Sequence, residues 1–315
     1  MNINDTIIYN IFLISYVIVL IFGLAGNILS FIVFSRKKFK NTLFSIYFRV
    51  LNIADVYTIL FALVDFLKYK VGYEIEIISA FFCKTTFYSL FAISPISGHI
   101  LVVIAIDRFI TTRCPNRFSI RNKKYFQIIL CLFITLYNIS YYIPMIIFHE
   151  FELISVNDSN STKISYTCNL NDAGVTYWMD FFNSTVIPFA LMIIFTSLTL
   201  KLIFDSRVKL AATRRVRTRA ASLVQSNSTT KIKDIKFAVT SITLNLCFLV
   251  LNFPVVTYSL LSVYMQMDQD LQDFIYVITE FFFYVNAGLL FYINILVNSI
   301  FKKELYEMLH LSSIN

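Results

Sequence analysis

A long uncharged stretch near the beginning of the chain, residues 7–34, reads IIYNIFLISYVIVLIFGLAGNILSFIVF. A helix needs about 20 mostly apolar residues to cross the hydrocarbon core of a bilayer, and this run exceeds that length. It is also too long for the apolar part of a cleavable signal peptide, and no basic residue precedes it. We therefore expect it to be the first membrane anchor.

Six further apolar stretches follow, separated by short polar or charged connectors. They lie at residues 43–67, 80–112, 125–148, 176–204, 235–265 and 271–300. These runs are continuous and much longer than the alternating segments of about ten residues in a membrane β-barrel, which excludes that fold. The sequence predicts an all-α fold, a single domain (residues 1–315) of seven transmembrane helices, numbered here spans 1 to 7.

The distribution of charge orients the predicted spans. Basic residues accumulate in alternate connectors: Arg36, Lys37, Lys38, Lys40, Arg113, Arg117, Arg121, Lys123, Lys124, Arg207, Lys209, Arg214, Arg215, Arg217, Arg219, Lys231, Lys233, Lys236, Lys302 and Lys303. Because such connectors stay in the cytoplasm, the N-terminus is predicted to lie outside the cell, in the plasma membrane. A net charge of +8 divided between alternate loops does not suit a nucleic-acid partner, whereas anionic membrane lipids suit the basic face.

The outer segments carry two features that depend on this orientation. Cys83 and Cys168 both lie outside, where an oxidising environment allows them to pair. Asn4, Asn157 and Asn160 begin glycosylation triplets in outer segments. Such triplets are common by chance, so they support the topology only modestly.

Polar residues in the middle of the spans are candidate functional sites, because a charge there is costly. Asp55 lies mid-way along span 2, with Asn27, Ser97 and Asn286 at similar depth in spans 1, 3 and 7. If they face a common interior, they either form a hydrogen-bonded packing cluster or coordinate a small cation through oxygen atoms. Both interpretations stay open at this point.

A second candidate site closes span 3 at the cytoplasmic face. Arg108, in the pair Asp107-Arg108, follows Cys83 by about 37 Å of helix, which places it at the opposite membrane face. Asp234 begins span 6 and is the expected partner of Arg108 in a breakable ionic lock. Pro254, further along span 6, permits a kink about which the inner half of the span swings.

Taken together, these residues resemble the rhodopsin-like (class A) family of G-protein-coupled receptors. The motifs that carry the resemblance occur in the family's order: Gly26-Asn27, Leu51 with Ala54-Asp55, Cys83, Asp107-Arg108-Phe109, Pro188, Phe248 with Pro254, Asn286, and an amphipathic eighth helix near residues 301–310. The resemblance implies a Cys83–Cys168 bridge, G-protein coupling and activation through Asp107, Arg108, Asp234, Phe248 and Pro254, and a sodium site at Asp55, Ser97 and Asn286. It implies no other cofactor.

Several positions depart from the family's pattern. The usual Cys-Trp-x-Pro of span 6 reads Leu251-Asn252-Phe253-Pro254, and Asn-Pro-x-x-Tyr of span 7 reads Leu290-Phe291-Tyr292-Ile293-Asn294. The usual tyrosine of span 5 is Thr196. These changes affect activation switches and, with residues 107–126, are most similar to divergent invertebrate orphan receptors related to peptide receptors.

The outer half of the bundle is the expected ligand site. Amine receptors carry an aspartate where this chain has Leu90, and opsins carry a lysine where it has Tyr284, so neither ligand is expected. Asp65 and Glu280 are candidate ligand contacts that favour a cationic ligand, most simply a basic neuropeptide with a C-terminal Arg-aromatic pair. Alternatively, the outer acids are merely solvated.

Other classes of membrane protein fit less well. A small transporter or channel would show an inverted repeat or paired interrupted helices, and neither is evident. A decoy receptor that binds ligand without signalling remains an alternative because of the altered switches. Enzymatic function is not expected, since His99, His149 and His310 are scattered and no nucleophile–base pair is suggested.

Overall fold

The computed structural model describes residues 3–40, 44–113, 124–158, 161–216, 225–265 and 267–309. Side chains are described for these residues except 3–5, 7, 8, 40, 154–158, 161–165, 173, 206–216, 225–241 and 269. The α-helices of this part are Ile3–Ser35, Lys37–Lys40, Ser45–Phe66, Ala80–Arg113, Lys124–Tyr141, Pro144–Phe148, Ala173–Asp180, Ile187–Val216, Gln225–Ser262, Gln269–Gly288, Leu290–Val297 and Ser299–Met308. Shorter segments are the π-helical turns Leu67–Val71 and Phe181–Val186 and the 3₁₀ turn Ile75–Ile77.

The predicted seven-span fold is confirmed. In the part of the chain that the structure describes, six helices are long and apolar enough to cross a membrane: Tyr9–Ser35, Ser45–Val71, Ala80–Arg113, Lys124–Phe148, Gly174–Asp205 and Ile242–Ser262. Asp270–Gly288 and Leu290–Val297 form the seventh crossing and meet at a bend of 48°. Phe133 (66% exposed) and Val250 (70% exposed) lie on the outside of the bundle, where lipid rather than water suits them. Span 3 is central and contacts spans 2, 4, 5 and 6.

Span 4 is interrupted by a two-residue turn just before its proline. Its long helix ends at Tyr141, and Pro144 begins a separate short helix that ends at Phe148. Proline has no N–H to donate and fits the first turn of a helix, where that N–H would have no intrahelical partner. In span 5, the π-helical turn Phe181–Val186 ends two residues before Pro188. A π-helical turn is wider than an α-helical one, so the helix is irregular just ahead of the proline. Pro95 and Pro254 lie inside continuous helices.

The last predicted span, residues 271–300, is shorter in the structure and is followed by a separate helix. Span 7 ends at Val297, and the C-terminal helix Ser299–Met308 begins where the Asn298 side chain accepts hydrogen bonds from the N–H groups of Ile300 and Phe301. An asparagine in this position satisfies donors that the first helical turn leaves unpaired. The amphipathic eighth helix predicted near residues 301–310 is therefore confirmed, two residues earlier than expected.

The C-terminal helix is fastened to the connector between spans 1 and 2. Phe301 is buried against Phe34, with ring centroids 5.2 Å apart. Arg36 Nε lies 3.1 Å from Glu304, and Lys38 pairs with both Glu304 and Glu307. Hydrogen bonding to Lys38 lowers the pKa of Glu307. Because a lowered carboxyl pKa means that the ionised form is stabilised in the folded state, this contact is lost only as the pH falls through that lowered pKa.

The second outer connector contains a β-hairpin that the sequence analysis treated only as a polar connector. Strands β1 (His149–Asp158) and β2 (Ser161–Leu170) are antiparallel, with Phe151 opposite Cys168. The Cys83–Cys168 disulfide joins β2 to the outer end of span 3, as predicted. Burial lowers the pKa of His149, and its imidazole stacks on Phe87 with ring centroids 5.0 Å apart. The hairpin is thus fixed to span 3.

Spans 1 and 7 approach closely at two glycines. A Cβ atom at Gly288 would lie 3.4 Å from Gly23 Cα, which is ordinary contact, but the γ-methyl groups of valine would force the backbones apart. We expect Gly288→Val to destabilise the protein by about 1–3 kcal/mol, a typical effect of overpacking. Thermal unfolding of the detergent-solubilised protein would show a midpoint several degrees lower.

Gly174 supplies the control for this substitution. A Cβ atom there would meet its nearest neighbours at 3.8 Å, so Gly174→Ala should leave the midpoint unchanged. An unaltered midpoint for Gly288→Val would contradict the close packing of spans 1 and 7.

Candidate functional site

A cavity of about 70 Å³ lies in the outer half of the bundle between spans 3, 5, 6 and 7. We call it the deep cavity. Two acidic residues line it, Asp180 from span 5 and Glu280 from span 7, among mostly apolar side chains such as Phe91, Val255 and Phe283. Within the described part of the chain, its lining contains no lysine, arginine or histidine. The cavity therefore has an acidic wall, and none of the described lining residues is a basic partner for it.

Asp180 is the wall residue that the sequence analysis missed. It is buried at 9% exposure, and Tyr142 Oη donates a hydrogen bond to its Oδ1 atom over 2.7 Å. The signal was present in the sequence, because an acidic residue inside a predicted span is uncommon and often functional. Asp180 lies four residues after the start of the predicted span 5 and is not among the predicted site residues.

Glu280 and Asp65, the two predicted ligand contacts, lie near one another across Tyr284. The Tyr284 hydroxyl donates to Asp65 Oδ2 over 2.6 Å, and the carboxyl of Glu280 lies close to both Tyr284 and Tyr276. Glu280 is buried at 6% exposure, and its Oε2 atom accepts no hydrogen bond from the described residues. Glu280 thus faces the deep cavity with one side-chain oxygen that has no hydrogen-bond donor among the described residues.

Asp65 lines a second, wider space of about 240 Å³ nearer the outer surface, which we call the outer cleft. Its walls are rich in tyrosine, including Tyr69, Tyr258 and Tyr276, and Lys68 forms an ion pair with Glu76 within it. The predicted contact Leu90 lines both the outer cleft and the deep cavity. The two spaces therefore adjoin at this side chain.

The mid-membrane cluster is assembled in part. Ser97 Oγ donates to Asp55 Oδ1 over 2.6 Å, and both residues line a small cavity of about 20 Å³ together with Asn286. Asn27 does not join them, because its Nδ2 atom donates to the carbonyls of Gly23 and Ala287 at 3.0 and 2.9 Å. The cluster that could hold a cation is therefore Asp55, Ser97 and Asn286, whose carboxylate, hydroxyl and amide oxygens are suitable ligands.

At the cytoplasmic end of span 3, Asp107 and Arg108 are both buried at 5% exposure. The guanidinium carbon of Arg108 lies 3.4 Å from the ring centroid of Phe44, a cation–π contact that the sequence did not indicate. Asp234 lies in the helix Gln225–Ser262, but its side chain is outside the described residues, so the expected pairing with Arg108 stays a prediction.

Phe248 lies between two of the cavities described above. Its ring lines both the deep cavity and the mid-membrane cavity. A Cβ atom at Gly98 would approach Phe248 Cζ to 2.7 Å, so the glycine gives the ring its place beside span 3. Asn252, which stands where the family usually has tryptophan, is buried in the deep cavity with Oδ1 unpartnered among the described residues.

The predicted glycosylation sites fall where little is described. Asn4 lies in the helix Ile3–Ser35 and Asn157 in β1, but their side chains are outside the described residues, as is the whole of Asn160. Glycosylation at these positions stays a prediction.

One known protein family matches most of the chain. The family model for the 7 transmembrane receptor (rhodopsin family) matches residues 26–289, which include all seven spans in whole or in part. No curated protein matches the chain. Members of this family are receptors rather than enzymes, and they take an extracellular ligand and a G protein as partners. With the family match over most of its length, seven apolar spans and the Cys83–Cys168 bridge, the chain belongs to the rhodopsin family of G-protein-coupled receptors and is a multi-pass plasma-membrane protein.

Proposed function

We propose that this receptor recognises an extracellular peptide through a basic side chain and activates heterotrimeric G proteins in response. The observation that carries the proposal is the deep cavity, where Asp180 and Glu280 face one space without a basic lining residue among those described. A buried carboxylate is unfavourable unless it is paired, so a cationic ligand group is the complement that this wall lacks.

The hydrogen-bond acceptors in the cavity that have no donor among the described residues indicate which kind of cationic group fits best. Glu280 Oε2 and Asn252 Oδ1 are both buried and accept no hydrogen bond from the described residues. A guanidinium presents five N–H donors in a planar fork, so it can serve more than one of these acceptors at once. An arginine side chain therefore suits the cavity better than a single ammonium group.

The size of the site favours a peptide over a small amine. The outer cleft adds a space of about 240 Å³ above the deep cavity, and its tyrosines offer surfaces for aromatic or cationic groups. In addition, Leu90 occupies the position at which amine receptors carry their aspartate, and the structure places this side chain between the two spaces. A ligand that fills both is larger than a biogenic amine.

Matched peptides test the cationic part of this proposal. The probe is a library of peptides ending in Arg-Phe, each paired with a peptide that carries neutral citrulline instead of arginine, with G-protein activation in cells as the readout. We expect the arginine peptides to act at lower concentration. Glu280→Gln, Asp180→Asn and Asp65→Asn should each raise the half-maximal concentration of the arginine peptides roughly 10- to 100-fold, because a hydrogen bond to a charged group contributes about 1.5–3 kcal/mol.

Asp172 provides the control, since it is an exposed outer acid that lines neither space. Its backbone has φ of 53°, a conformation that asparagine also adopts readily, so Asp172→Asn should respond like the unaltered receptor. Responses unchanged by all three cavity substitutions would contradict the proposal and favour the interpretation of the acids as solvated residues.

Coupling to G proteins is proposed to depend on Arg108. We expect Arg108→Ala to abolish ligand-stimulated nucleotide exchange on purified G proteins, because the buried guanidinium at the end of span 3 is lost. Arg113→Ala is the matched control at the exposed end of the same helix and should retain exchange. A decoy receptor would bind peptide without exchange in either variant, and a transporter would show solute flux without exchange.

A sodium ion is proposed as an allosteric ligand of the mid-membrane cluster. Asp55, Ser97 and Asn286 would hold it through oxygen atoms, and the ion would supply the positive charge that balances the Asp55 carboxylate. We expect sodium chloride to raise the thermal unfolding midpoint of the purified receptor above its value in choline chloride, and Asp55→Asn to remove the difference. An equal difference in Asp55→Asn would indicate that the cluster only packs the bundle.

A further inference from the structure

A continuous set of buried hydrogen bonds joins spans 4 and 5 behind Asp180. Tyr137 Oη donates to Asn183 Oδ1 over 2.8 Å, and Asn183 Nδ2 donates to Asn138 Oδ1 over 3.1 Å. The same Nδ2 lies 3.3 Å from Tyr142 Oη, which donates in turn to Asp180 Oδ1. Tyr142, Asn138 and Asn183 are each 0% exposed.

The direction of these bonds is fixed at one end by the backbone. Asn138 Nδ2 donates to the Ile134 carbonyl over 2.9 Å, so its Oδ1 atom must be the acceptor that faces Asn183. Asn183 consequently presents its amino group to both Asn138 and Tyr142. Because the Tyr142 oxygen accepts from Asn183, its single proton is directed to Asp180. The set therefore presents a donor to Asp180 and leaves the carboxylate as an acceptor.

The two irregular segments of the bundle bring these side chains together. Asn183 lies within the π-helical turn Phe181–Val186, and Tyr142 lies in the break between the two helices of span 4. Asn138 and Tyr142 are four residues apart, and Asp180 and Asn183 three apart, so each pair lies on one helix face. Irregular backbone turns of this kind are frequently found at functional sites.

We propose that Tyr142 and Asn183 are positioning residues that hold Asp180 as a hydrogen-bond acceptor against the deep cavity, making it the determinant of preference for a cationic ligand group. The inference rests on the proposed function, in that the cavity is the ligand site. It adds that the acidic wall depends on Tyr142 of span 4 and Asn183 of span 5, neither of which lines the cavity.

The test measures the charge preference of the cavity without any peptide. Ser259, which lines the deep cavity, is replaced by cysteine in the full-length receptor, with Cys114, Cys131 and Cys247 changed to alanine. The thiol reacts with methanethiosulfonate reagents that carry either an ammonium or a sulfonate group. The ratio of the two rates, divided by that of a free thiol in solution, reports the local charge and cancels changes in access that affect both reagents.

We expect Asp180→Asn to lower this ratio about tenfold, because the Asp180 carboxylate attracts the ammonium reagent and repels the sulfonate reagent. Tyr142→Phe and Asn183→Ala should each lower it about threefold, because the carboxylate is no longer directed to the cavity. Tyr141→Phe is the control, as its hydroxyl donates only to the Met179 carbonyl, at 3.2 Å, and it should leave the ratio unchanged.

The decisive measurement combines substitutions. If Tyr142 acts through Asp180, Tyr142→Phe will have no further effect on the ratio in the Asp180→Asn receptor. An equal effect in both backgrounds, or no effect in either, would overturn the inference. If Tyr142→Phe fails to reach the cell surface, Asn183→Ala answers the same question. A normal rate ratio with no response to any peptide would instead contradict the proposed function.

Discussion

Lipid offers no hydrogen bonds, and every polar group that this chain carries into the bilayer must be satisfied within the bundle. The main-chain groups are satisfied by helix formation, so the informative positions are those where the helix is interrupted. At Pro144 span 4 stops and begins again, and before Pro188 span 5 widens into a π-helical turn. Both irregular turns place a polar side chain against the neighbouring helix rather than against lipid, as Tyr142 and Asn183 show.

The same constraint explains why the buried acidic residues differ in their hydrogen bonding. Asp55 receives a hydrogen bond from Ser97, Asp65 from Tyr284 and Asp180 from Tyr142, whereas Glu280 retains an oxygen without a donor among the described residues. A buried acceptor without a hydrogen bond lowers stability unless a ligand supplies the donor. The deep cavity is therefore the part of the bundle in which binding, rather than folding, is best placed to supply the missing interaction.

The residues that replace the family's usual activation motifs pack against other residues of the bundle. Phe291, in the place of the family's proline in span 7, lies against Gly26 and contacts Phe301 of the C-terminal helix, with ring centroids 6.0 Å apart. Thr196 accepts a hydrogen bond from Asn245 over 2.9 Å, which links spans 5 and 6 in the inner half. Phe248 still connects the deep cavity to the mid-membrane cavity. The chain thus keeps physical contact between the ligand side and the cytoplasmic side while using different residues.

Sequence alone determined the number, length and orientation of the spans, because hydrophobic length and loop charge act locally and do not depend on which helices meet. It also indicated Cys83–Cys168 and the pairing of Asp55 with Ser97, since each follows from depth in the membrane. The importance of Asp180, the diversion of Asn27 to the span 7 backbone and the contact of Arg108 with Phe44 were decided only by tertiary structure. Rotation of each helix about its axis selects which polar side chains meet, and that rotation is set by packing between helices distant in sequence.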